Sequence, residues 1–272
     1  ASNDAQFYFN TSDQIELFDR TGGSAQMQLK TNRVFRDVSS WYHVLIIWDT
    51  TQSTASDRTQ LYINGQRETS FATETYPSLN ADSGGANRTG ANMRIGTYSA
   101  SGSYFDGYMA ELHFFDDESL SPSSFGETNN NGIWIPKEYQ GADSTYGSNG
   151  FYFQFANASA LGANTKGKGN YTASGLSSAD QMADTPTNNH AVFNILDTSF
   201  TGPTMTISDG NLKCLCTGTV GPTQRFSTLV IPPTGKWYFE FELDAQTGPQ
   251  DTNLRLGVMR ADINAAFSDA NT

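Results

Sequence analysis

The run Trp41-Tyr-His-Val-Leu-Ile-Ile-Trp48 does most to limit what this chain can fold into. It is β-branched or aromatic at nearly every position, so both period-two faces are apolar. Trp41, His43, Leu45 and Ile47 point one way, and Tyr42, Val44, Ile46 and Trp48 the other. A strand with no wet side belongs in the middle of a sheet, with material packed over each face. After a polar loop the chain returns as Leu61-Tyr-Ile-Asn-Gly65, a second strand ending in the strongest short hairpin signal.

The rest of the chain also reads as strands. Short candidates at 6–9, 14–18 and 25–30 are separated by Asn-Thr-Ser-Asp and Thr-Gly-Gly turns. Further strands are expected at Met93–Tyr98, Tyr108–Phe115 and Phe151–Phe155. Ser121 is placed to cap a helical turn with Pro122 at its first position. Beyond Ala191, a hairpin is expected at Asp209-Gly210. Gly235–Leu243 alternates, which predicts Trp237, Phe239, Phe241 and Leu243 facing inward. Leu254–Arg260 follows as another strand.

Composition agrees with an all-β chain. Of 272 residues 16% are charged, and the polar bulk is Ser, Thr, Asn and Gly. The formal net charge of −12 argues against nucleic acid as a partner, because phosphate contacts need clustered Lys and Arg. No apolar run approaches the roughly 20 residues of a membrane span, so membrane insertion is not expected. The two cysteines, Cys214 and Cys216, share one strand face, with Cα atoms roughly 6.5 Å apart at the edge of disulfide range. They read as free thiols. The opening strand begins at once and the last residues close no domain, so the chain reads as a piece of a longer polypeptide.

Catalytic signals are thin, and no catalytic residue is assigned. His43 and His113 fall mid-strand and read as hydrogen-bonded sheet histidines. Glu240, Glu242 and Asp244 lie on one strand face, which raises a glycosidase as an option, since such enzymes pair two carboxylates. Tyr98, Tyr104 and Trp134, on or beside loops, are the candidate ligand-binding aromatics, suited to the apolar faces of sugar rings.

Trp41-Tyr-His-Val, Leu61-Tyr-Ile-Asn-Gly, Ile95-Gly, Phe105-Asp-Gly-Tyr-Met-Ala-Glu-Leu-His-Phe-Phe-Asp116 and Leu120-Ser together resemble a LamG domain. That is the laminin-G and concanavalin A-like family. The resemblance implies a jelly-roll sandwich of two antiparallel sheets over residues 1–126, with N-terminal strands lying before residue 1. It also implies calcium as a candidate ligand, with Asp49 and Asp106 as metal ligands; no other cofactor is expected. Ala110-Glu111 stands where the family pattern has Asp-Glu, which removes one acidic ligand. Gly235-Lys-Trp-Tyr and the following Glu, Leu and Gly positions resemble the first half of a SPRY domain, so 191–272 is expected as the start of a second, incomplete β-sandwich. Residues 127–190 form a connector between the two, available to donate strands.

Tyr146-Gly-Ser-Asn-Gly-Phe-Tyr-Phe153 and Asp184-Thr-Pro-Thr-Asn-Asn189, in this domain order, resemble virion proteins of marine bacteriophages, such as tail and head fibres. That resemblance implies a non-enzymatic structural protein on the particle surface, outside the cell, homo-oligomeric and in contact with other virion proteins. The alternative is a carbohydrate-binding adhesion module that contacts host surface glycans.

Overall fold

The computed structural model describes residues 3–38, 40–88, 90, 92–99, 102–167, 169–195, 204–217, 225–244 and 257. The chain divides into two compact units, 1–190 and 191–272. In the first, the strands are β1 (Asp4–Phe9), β2 (Gln14–Thr21), β3 (Ser24–Val34), β4 (Val44–Trp48), β5 (Thr59–Ile63), β6 (Gln66–Arg67) and β7 (Phe71–Thr75). Shorter strands follow: β8 (Thr97–Ser99), β9 (Gly102–Tyr104), β10 (Leu112–Phe114), β11 (Gly126–Thr128), β12 (Trp134–Pro136), β13 (Phe151–Phe153) and β14 (Lys166–Gly167). The second unit holds β15 (Thr204–Ser208) and β16 (Lys213–Thr217). The only helical segments among the described residues are short 3-10 turns, and no helix there is long and apolar enough to cross a membrane. The all-β expectation therefore holds.

Two sheets make the sandwich. One has the strand order β1-β2-β3-β7 and the other β4-β5-β6, and every pairing in both is antiparallel. The core lies between them. Ile15, Leu17, Met27 and Leu29 from β2 and β3 meet Leu61 and Ile63 from β5, all at most 3% exposed, with Phe35 beside them. Burying six such side chains is the main apolar gain of this unit, on the order of 2 kcal/mol each before entropy is counted. The Asn64-Gly65 turn joins β5 to β6 as expected, and both residues have the positive φ (49° and 75°) that a two-residue type I′ hairpin demands.

Several strands are shorter than the sequence predicts, each for a local reason. The Trp41 run is not a two-faced central strand. Only Val44–Trp48 pairs, β4 ends its sheet among the described residues, and Ile46 is 38% exposed. The three residues before it find other partners. Trp41 Nε1 donates to Asp184 Oδ2 (3.0 Å), the Tyr42 ring packs on Phe35, and the His43 N–H donates to Asn64 Oδ1 (2.8 Å). Likewise Tyr108–Phe115 contributes only Leu112–Phe114, because Glu111 turns into left-handed backbone (φ 52°) and takes the Tyr152 hydroxyl on its carboxylate. Met93–Tyr98 is replaced by Thr97–Ser99. Phe151–Phe155 stops at Phe153, with Phe155 at φ 56°.

β13 pairs with β10 in antiparallel register, Leu112 opposite Phe153 and Phe114 opposite Phe151. The segment after 126 is tied to the residues before it by this ladder and by the Trp41–Asp184 bond.

In the second unit the Asp209-Gly210 hairpin forms as expected, with Asp209, Gly210 and Asn211 all at positive φ. The Gly235–Leu243 strand does not. Those residues carry no strand, and Trp237, Phe239, Phe241 and Leu243 are 53–59% exposed rather than inward. No strand among the described residues pairs with them, and the Trp237 indole turns back onto Thr234 O (2.8 Å). The expected strand at 254–260 lies outside the described residues, apart from Gly257.

Candidate functional site

The register of β1, β2, β3 and β7 sorts their side chains onto two faces. Ile15, Leu17 and Asp19 face the core side. Glu16, Phe18 and Arg20 face the other side, and their cross-strand neighbours extend the set in rows. One row is Tyr8, Glu16, Lys30 and Thr73; the next is Gln6, Phe18, Gln28 and Thr75; Asp4 and Arg20 stand at the corner.

This outer face is polar but arranged around a ring. Arg20 donates to Asp4 through Nε (2.9 Å) and Nη2 (3.1 Å), and its guanidinium carbon lies 5.0 Å from the centroid of Phe18. Gln6 Nε2 donates to the same Asp4 (2.5 Å). Glu16 is only 9% exposed, and a carboxylate so placed needs donors. Gln28 Nε2 (2.6 Å) and Asn10 Nδ2 (3.4 Å) supply them. The Tyr8 phenol is pushed above its usual range by burial first and then by the charge and hydrogen bond of Glu16. The face thus offers one half-buried ring, a second ring at its rim, and amide, carboxylate and guanidinium groups around them. A sugar has the complementary character, with an apolar C–H face and hydroxyls at its edge.

The opposite face is built to hold itself together. Asp19 is fully buried, and its carboxylate accepts from Ser83 Oγ (2.7 Å) and from the N–H groups of Gly84 (3.1 Å) and Gly85 (3.2 Å). Both glycines are required by close approach. A Cβ on Gly84 would sit 2.2 Å from the Arg20 carbonyl oxygen, and one on Gly85 2.0 Å from the Ala5 nitrogen.

The residues expected from sequence fall in different places. Tyr98, on β8, is 57% exposed and near enough to Arg20 to act on its charge, so it borders the Asp4–Arg20 corner. Tyr104, on β9, is 69% exposed and pairs with Thr97, which puts it on the other side of its two-stranded ribbon from Tyr98. Trp134 does not stand free beside a loop. It lies in β12, stacked on His43 at 5.4 Å, and its ring fills the space over Gly65 and Gly126. Added Cβ atoms there would come within 2.2 and 2.4 Å of it. Its indole nitrogen is shielded and unpartnered. Asp49 is held below the usual carboxylate range by hydrogen bonds from Thr51 and Gln52, including Thr51 Oγ1 (2.6 Å) and Gln52 Nε2 (2.5 Å). Asp106 lies in an exposed turn. Among the described residues no three His, Cys, Asp or Glu side chains converge on a possible metal.

Both histidines sit in packed surroundings, but His43 precedes β4 and its ring Nδ1 is shielded without a hydrogen-bond partner among the described residues, so only His113 is the hydrogen-bonded sheet histidine expected. His113 stacks on Tyr152 at 4.1 Å and shares a 2.8 Å hydrogen bond through Nδ1 with the Tyr146 hydroxyl. Phe115, Phe125 and Tyr139 complete the cluster. Burial, and secondarily the charge of His43, lowers the His113 pKa to about 4. A groove of about 490 Å³ along 158–178 carries Leu161, Asn170 and Tyr171 but no charged residue, and offers a ligand much less than the sheet face does.

In comparisons with known proteins, residues 1–124 match the family model Laminin_G_3, described as the concanavalin A-like lectin/glucanases superfamily. No curated protein and no solved structure matches the chain. The family match agrees with the two-sheet sandwich.

Proposed function

We propose that residues 1–124 form a non-catalytic carbohydrate-binding module whose ligand lies on the outer face of the β1-β2-β3-β7 sheet. The observation that carries this reading is Phe18, a half-buried ring in the middle of a solvent-facing strand, bordered by Gln6, Gln28 and Arg20. A core residue would face the other way, and the Tyr8 ring stands on the same side of the sheet as Phe18. Phe18 and Tyr8 take the apolar face of a sugar, while Gln6, Gln28, Glu16 and Arg20 exchange part of their mutual hydrogen bonding for its hydroxyls.

Binding rather than hydrolysis is favoured by spacing. Glycosidases of the two-carboxylate type hold their acids about 5–9.5 Å apart. On this face the carboxylates are Asp4 and Glu16. Glu16 opposes Tyr8, four residues along β1 from Asp4, so the two stand roughly 13 Å apart at the strand rise. Asp4 is also held by Arg20. The Glu240, Glu242 and Asp244 set is committed elsewhere in part, Glu240 to the Tyr238 hydroxyl and Asp244 to Lys213.

The setting we propose is the surface of a bacteriophage particle, as a fibre or other structural protein touching host glycans. Its support is the pair of motifs at 146–153 and 184–189 and the order of the segments. A glycan array probed with the whole chain tests the binding reading. Wild type should retain a restricted set of glycans, Phe18→Ala should lose them, and neither should release reducing ends from a retained polysaccharide. An array on which wild type binds nothing, or binds as well after Phe18→Ala, removes the reading.

A further inference from the structure

The hairpin of β15 and β16 collects sulfur. Cys214 and Cys216 leave one face of β16, and Met205 stands directly opposite Cys216 on β15, so its thioether leaves the same face. The two thiols are close enough to share a hydrogen bond. Ile207 stands opposite Cys214 and shields that end. The fourth observation comes from outside the hairpin. Arg225 lies near enough to Cys214 to act on it electrostatically, yet its Nε and Nη1 are shielded from water and have no hydrogen-bond partner among the described residues. A guanidinium with two orphan donors is costly unless something anionic answers it. The Cys214 thiol supplies no anion, for burial and the neighbouring Cys216 push it up to about 11.

We infer that Cys214, Cys216 and Met205 form a site for one monovalent soft cation, Cu(I), with Arg225 balancing its charge. Two thiolates and a thioether are the donor set that selects Cu(I). On binding, each thiol gives up its proton to solvent and each sulfur forms a bond to copper, with no change in oxidation state. Two thiolates around a monovalent ion leave one net negative charge, and Arg225 supplies one positive charge beside it. Zinc is a poorer fit, since structural zinc takes four ligands and no third His, Cys, Asp or Glu joins the two cysteines among the described residues. Nor do the cysteines replace the site by a disulfide, being two apart on one strand and both free.

The test is an anaerobic competition between the whole chain and a chromophoric Cu(I) chelator, with circular dichroism confirming that each variant folds. Wild type should withdraw one copper per chain and release two protons in a weakly buffered solution. Cys214→Ser and Cys216→Ser should each abolish withdrawal. Met205→Leu and Arg225→Gln should each weaken it, the latter by roughly 10–100-fold as expected for a group supporting a metal ligand. The inference is overturned if wild type withdraws no copper. Equal withdrawal by the double cysteine variant, or preferential uptake of zinc from a zinc indicator, also overturns it. An Arg225→Gln affinity equal to wild type overturns the charge balance.

Discussion

Two carboxylates on β2, three residues apart, face opposite sides of the same sheet and are held in opposite ways. Asp19 is fully buried and takes its donors from the Ser83 hydroxyl and from the backbone N–H groups of Gly84 and Gly85, in a loop packed closely on Ala5 and Arg20. Glu16 is nearly as buried but takes donors from the side chains of Gln28 and Asn10. Backbone donors locked by close packing make a structural site. Side-chain donors on an open face turn at the cost of a rotamer change, so they exchange readily with a ligand's hydroxyls. The inner face holds the sheet together, and the outer face is the one to which the proposed recognition is assigned.

The sharpest way to break this contrast is on the inner face. Leu17→Ala should cost about 2–5 kcal/mol in denaturant unfolding, as a cavity in a well-packed core does, and should leave glycan affinity of the folded fraction unchanged. Asp19→Asn places an amide against Gly84 and Gly85 and should cost about 1–3 kcal/mol for the donors it strands, again without a specific effect on binding. On the outer face the pattern should invert. Phe18→Ala should reduce affinity at least about tenfold, equivalent to about 1.4 kcal/mol, while lowering stability by less than Leu17→Ala does. Acid separates both faces from the aromatic cluster, since neither face contains a histidine. His113 has its folded pKa depressed to about 4 from 6.5, so its contribution to stability is present above pH 6.5 and is lost as pH falls toward 4. Thermal unfolding across that window should show the loss, and His113→Phe should flatten it. The smallest effect belongs to Tyr104→Ala, which should alter neither stability nor affinity beyond error.

How much of this was legible in the sequence depended on whether a residue's reason was local. Asn64-Gly65 and Asp209-Gly210 were readable because the turns need positive φ and those residues tolerate it. The sandwich was readable from the Trp41 and Leu61 patterns. The full length of the Trp41 strand was not, because Trp41 is drawn away by Asp184, 143 residues later. Trp134 read as a free loop aromatic because nothing local shows that Gly65 and Gly126 make room for it. The outer face escaped notice for a different reason. In Gln14-Ile-Glu-Leu-Phe-Asp-Arg20 the alternation fails at Phe18 and Asp19, an apolar residue on the wet face followed by a carboxylate on the dry one. That double inversion was the available signal. It marks both the candidate ligand ring and the buried carboxylate.

In the proposed reading, recognition belongs to the outer face of the four-stranded sheet and not to its loops. Amide and aromatic NMR shifts, followed as a retained glycan is titrated into the whole chain, test this directly. Tyr8, Glu16, Phe18, Arg20 and Gln28 should shift while Leu17, Asp19 and Leu29 stay. Shifts confined to Asp49–Asp57 and Tyr104–Tyr108, with the sheet face unmoved, would contradict it.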